Sequence, residues 1–137
     1  MSYMLLIVEP VGQRRERTED EGRALYDSML KFSADLKARG LLTVSQSLRS
    51  DAEAVRVQVR QGKRTMTDGP FAEAKEVVGG YWVIEVKSRE EALEWASRIP
   101  GRDNEMVEVR RLFDITDFPA DVQKRLGELE EQSAKGG

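Results

Sequence analysis

The chain has 137 residues, with 22 Lys plus Arg against 25 Asp plus Glu for a formal net charge of −3, and it contains neither His nor Cys. A hydrophobic share of 39% beside 34% charged residues at this length describes one globular domain with a dense charged coat. The missing residue types exclude disulfides, thiolate and imidazole metal sites, His-ligated haem and every Ser–His or Cys–His nucleophile set, leaving carboxylates, Lys, Tyr and hydroxyls for acid–base work.

The opening MSYMLLIVEP carries an apolar run too short for a membrane span and lacks the basic start and cleavage site of a signal peptide, so a cytoplasmic protein with no membrane partner is expected. Tyr3 to Val8 reads as a strand with two apolar faces, ended by Glu9-Pro10. Val11 to Arg17 reads as a polar loop, with Arg14, Arg15 and Arg17 solvated beside Glu19 to Glu21. Thr18 and Glu21 form a capping box for a helix, and Leu25, Met29, Phe32 and Leu36 draw its apolar stripe as far as about Arg39, before the stop at Gly40.

Leu41 to Leu48 is expected as a second strand. Ala54 to Arg60 alternates Val55, Val57 and Val59 with Arg56, Gln58 and Arg60, and Gln61-Gly62-Lys63 turns it back into Arg64 to Thr67, a hairpin with one wet face. Val77 to Val86 is a long strand with Trp82, Ile84 and Val86 on one face and Tyr81 and Val83 on the other; Glu85 shares the latter face, either at the wet end of the strand or as an oddity within it. Gly79-Gly80 marks a bulge or a close approach. Ser88 and Glu91 suggest a second capping box, opening a helix with Ala92, Trp95, Ala96 and Ile99 on one side, and Glu105 to Leu112 is the last strand of the domain. Trp82 and Trp95 fall at core periodicity and read as packing residues.

The order β-α-β, hairpin, β-α-β with right-handed crossovers is an α+β, ferredoxin-like subunit. Two helices cover one face of its sheet, and the two central strands are apolar on both faces, so a second copy is expected to cover the other and form a homodimer. Asp117, Pro119 and Asp121 begin a third helix with Phe118, Val122, Leu126 and Leu129 on one stripe, docked on its own domain or across the dimer, and Ala134 to Gly137 reads as a loose tail. The chain then divides into a domain over residues 1–113 and a C-terminal helix and tail over 114–137.

TDGPFAEAKEVVGGYWVIEV at Thr67 to Val86, with YMLLI at Tyr3 to Ile7, EALEWASRIP at Glu91 to Pro100 and EVR at Glu108 to Arg110, resembles the DGPF proteins of the YCII-related domain family. The resemblance covers about Tyr3 to Leu112 and implies a ferredoxin-like subunit that dimerises into an α+β barrel. Members of the YCII branch carry a His and an Asp on or near the first helix, which implies an enzymatic dyad there. This chain has no His, and the Asp position falls on Ala38, so the dyad does not carry over. The resemblance also implies a link to sigma factors and the regulation of transcription initiation.

The candidate site is the signature itself. Asp68-Gly69-Pro70-Phe71 is strong turn chemistry, and as a purely structural element it needs no ligand. As a site it presents Asp68, Phe71, Glu73 and Lys75, with Tyr81 on the following strand, at a pocket mouth. If Ala72 to Val77 makes a helical turn, Glu73 and Glu76 share a face; paired carboxylates split their pKa values and serve as acid and base, with Lys75 holding an anionic intermediate. No cofactor and no resident metal are expected. The low net charge and the lack of a basic, aromatic-interleaved surface disfavour direct nucleic-acid binding.

Three functions stay open on these residues. They are a homodimeric ligand-binding or regulatory module, a small cofactor-independent enzyme using Asp68, Glu73, Lys75 or Tyr81 for proton transfer, and a protein accessory of a sigma factor contacted through the third helix.

Overall fold

The computed structural model describes residues 1–71 and 73–136. Alternating burial along β1 (Ser2–Pro10) sends Tyr3, Leu5, Ile7 and Glu9 to one face and leaves Met4, Leu6 and Val8 half-buried on the other. The strand does not stop at Glu9-Pro10 as expected: both residues pair with β5 (Glu76–Glu85). The loop expected after it contains a one-turn helix, α1 (Gln13–Glu16). The next helix, α2 (Glu19–Ala38), starts from the expected capping box, with Thr18 and Glu21 each accepting the other's backbone N–H, and it buries Phe32 and Leu36.

Then follow β2 (Leu42–Ser47), the hairpin strands β3 (Val55–Arg60) and β4 (Lys63–Asp68), β5, α3 (Arg89–Ala96), β6 (Met106–Arg111) and α4 (Ala120–Lys135). At the start of α3 Ser88 accepts from the Glu91 N–H, but the Glu91 carboxylate accepts from Lys87 rather than from Ser88, so the box closes one residue further out. The sheet is antiparallel in the order β2-β5-β1-β6, the ferredoxin-like arrangement with β1 and β5 at its centre.

The core lies between this sheet and the helices α2 and α3. Phe32 meets Trp82 and Trp95 edge to face at 5.1 and 6.0 Å, and Leu5, Leu36 and Ile84 are fully enclosed. Both tryptophans are packing residues, as their periodicity implies. The opposite sheet face carries Met4, Leu6, Val8, Val44, Val78, Tyr81, Val83 and Met106. Glu85 is at the wet end of that face, its exposed carboxylate held by the N-terminal amine at 2.5 Å and by the Ser2 hydroxyl.

The hairpin β3–β4 pairs with no other strand among the described residues. Both its faces are exposed, including the valine face expected to be dry. The α4 helix half-buries Val122 and Leu126 but leaves Leu129 60% exposed, and it continues through Lys135, into the stretch read as a tail. Gly137, the end of that expected tail, lies outside the described residues. None of the described helices is long and apolar enough to cross a membrane.

Candidate functional site

A cleft of about 680 Å³ opens between α2 and the β2–β5 half of the sheet. Leu25, Met29 and Trp82 line it together with Ser33, Ser45 and Ser47, and Glu9, Arg14, Arg17 and Glu105 form a charged end. Trp82 turns its Nε1–H to the Ser33 hydroxyl at 2.8 Å, which satisfies the polar edge of an otherwise buried ring.

The polar end is assembled by the turn after β1. Arg14 places Nε 2.7 Å from Glu9 Oε1, donates Nη1 to the Leu48 carbonyl at 2.5 Å and donates Nη2 to the Gly79 carbonyl at 2.8 Å. That guanidinium therefore staples the end of β1 to β5 and to the segment following β2. Arg17 reaches Glu9 Oε2 at 4.0 Å only, and its buried Nε has no hydrogen-bond partner among the described residues. Glu9 is 6% exposed; burial pushes its carboxyl above the usual 4.5 and Glu105 adds to the rise, against the pull of Arg14 and Arg17.

The glycine pair of β5 makes this possible. Opposite Ile7 and Val8 the register skips Gly79, a β-bulge, and a Cβ on Gly79 would sit 2.8 Å from the Glu9 carboxylate and 2.9 Å from Arg14. Both readings of Gly79-Gly80, bulge and close approach, hold.

The signature folds as a separate unit. Gly69 donates its N–H to the Ala54 carbonyl at 2.7 Å, and a Cβ there would collide with the Asp51 carbonyl, so this glycine is required by contact with the turn ahead of the hairpin. Phe71 is buried, with the Arg56 guanidinium 3.9 Å above its ring. Asp68, Glu73 and Lys75 are exposed. None of Asp68, Phe71, Glu73 and Lys75 lines the cleft; Tyr81 borders it from β5, but its side chain belongs to the sheet face opposite the helices. Glu76 opens β5, so it shares no helical face with Glu73, and Ala72, where that turn would begin, lies outside the described residues.

Sequence reasoning missed Glu9, Arg14 and Arg17. The arginines, read as solvated, are in fact half-buried about an enclosed carboxylate. The available signal was Glu9 itself, in phase with Tyr3, Leu5 and Ile7 and hence on the core face of its strand.

The family model of the YCII-related domain matches residues 1–116. The chain belongs to this family. Among curated proteins nothing matches it. The YCII-related match takes in the cleft, its arginine end, the hairpin and the signature, and α4 follows it. Ala38, where the sequence resemblance puts the Asp of the YCII branch, is the last, exposed residue of α2, and it does not line the cleft.

Proposed function

We propose that this YCII-related protein is a cytoplasmic small-molecule-binding module that works as a homodimer, with the cleft between α2 and the sheet as its binding site. The observation that carries the reading is the Arg17 Nε, buried with no hydrogen-bond partner among the described residues at the polar end of a cleft of about 680 Å³. A buried donor left unsatisfied costs about 1–3 kcal/mol, which a ligand acceptor there recovers. The volume suits a compact organic molecule. Its chemistry follows from the walls: an apolar body against Leu25, Met29 and Trp82, and an acceptor or anionic head at Arg17.

The dimer is supported by surface area. The chain exposes 10265 Å², against about 7,200 Å² for a compact monomer of 15.5 kDa. The surplus, about 3,000 Å² per chain, exceeds the roughly 800 Å² that one partner gives to a standard interface, and the hairpin, exposed on both faces, contributes to it.

The test is a panel of small organic acids read by thermal shift on three proteins. A ligand of the cleft raises the wild-type melting temperature, loses its effect in Arg17→Met and loses it in Gly22→Leu, whose side chain enters the cleft from a position with open space around it. A shift that survives both variants but vanishes in Glu73→Gln with Lys75→Met moves the site to the signature.

A second reading, the acid–base enzyme, is favoured by one observation: the Glu9 carboxyl, pushed up by burial, lies at the same end of the cleft. On that reading Glu9→Gln abolishes turnover while ligand binding persists. The regulatory link to sigma-factor-dependent transcription is supported by the family resemblance, and co-elution of a sigma-factor-related protein with the tagged chain from its native cell tests it.

A further inference from the structure

The hairpin β3–β4 has a chemistry of its own. Its register puts Val55, Val57 and Val59 on one face with Met66 opposite Val57, and these four side chains are 53%, 55%, 58% and 76% exposed. A lone two-stranded hairpin is at best marginally stable in water, and exposed contiguous aliphatic faces are rare on monomers. Four cations, Arg56, Arg60, Lys63 and Arg64, stand against one carboxylate, Asp68. The arm is therefore at +3 and the rest of a chain of net charge −3 is at −6. A second copy of the same chain supplies what the arm lacks. Its sheet face opposite the helices leaves Val44, Val78 and Met106 exposed at 39%, 41% and 49%, on a body of opposite charge.

We propose that the hairpin is a clasp: in the homodimer each arm lays its Val55–Val57–Val59–Met66 face on the bare sheet face of the other copy. The inference rests on the homodimer reading above and adds to it which element closes the assembly. Charge attraction between arm and body sets the approach, and burial of the valine face holds it.

The absence of Cys makes the test direct, because Met66→Cys takes a single nitroxide label, as does Gln58→Cys on the opposite face of the arm. The proposal expects the label at position 66 to be mobile at low concentration and immobilised at higher concentration, in step with the rise to twice the chain mass by light scattering, while the label at position 58 stays mobile. Immobilisation without a change of mass overturns the clasp in favour of packing within one chain. A mobile label at 66 in samples that scatter as dimers overturns the clasp and leaves the dimer standing. A monomer at every concentration overturns both. As an unlabelled check, Val57→Lys with Met66→Lys weakens dimerisation at least tenfold with an unchanged circular dichroism spectrum, and an unchanged dissociation constant overturns the clasp.

Discussion

Arg14 links Glu9 and Gly79, holding the carboxylate of one and the carbonyl of the other, and substitution at either one should be felt at the other. Because burial raises the Glu9 pKa, the folded state holds its proton more tightly than the unfolded chain does. The contribution to stability is then full below 4.5 and is lost as pH rises through the folded value. Glu9→Gln keeps the shape and removes the titration. The melting temperature of the wild type measured relative to this variant should therefore fall as pH is raised above 4.5, and a difference that is flat with pH would show the carboxyl to be unperturbed. Gly79→Ala forces a methyl group into the Glu9–Arg14 pair, and overpacking of this kind costs about 1–3 kcal/mol in denaturant unfolding. Arg14 then loses its grip on β5, so the same variant should also weaken any ligand of the cleft.

At the scale of elements, the signature loop and α2 behave differently under substitution. Phe71 is buried beneath Arg56, so Phe71→Ala should cost about 3–5 kcal/mol by urea unfolding. Asp68→Asn, and the double variant Glu73→Gln with Lys75→Met, change exposed side chains and should leave the melting temperature nearly unchanged. A large loss in the double variant would place those residues in a structural ion pair. In α2, Gly22 lies near the start of a 20-residue helix, and a methyl group added there would meet no neighbour within 4 Å, so Gly22→Ala should stabilise the fold by about 0.5–1 kcal/mol. That outcome would separate the helix propensity of the position from the blocking effect of Gly22→Leu.

For the whole molecule, the dimer expectation gives a mass near twice 15.5 kDa by light scattering at micromolar concentration. The seam is best probed at Met4, half-buried on the bare sheet face, where Met4→Lys should dissociate the dimer without unfolding the chain. Val83 serves less well, being only 7% exposed within one chain, so an unpaired carboxylate there costs several kcal/mol in the protomer itself. A monomer in both wild type and Met4→Lys would leave the bare sheet face without a cover and remove the basis for the dimer.

What the sequence determined alone is what periodicity and capping determine. The strand phases of Tyr3 to Val8 and Val77 to Val86, the Leu25–Met29–Phe32–Leu36 stripe and the Thr18–Glu21 box are local patterns, and together they led to the ferredoxin-like order of a YCII-related chain. The Asp68–Phe71 segment was legible as turn chemistry, but the contact with the Asp51 carbonyl that requires Gly69 and the burial of Phe71 were not. The polar end of the cleft was not, because it joins Glu9, Arg14, Arg17, the Leu48 carbonyl and Gly79 from four separate stretches of chain. A run of arginines beside a run of glutamates has the composition of a solvated coil. The phase of Glu9 with Tyr3, Leu5 and Ile7 puts a carboxylate on the core face, but only the fold brings Arg14 and Arg17 to it, where desolvation makes them its necessary companions.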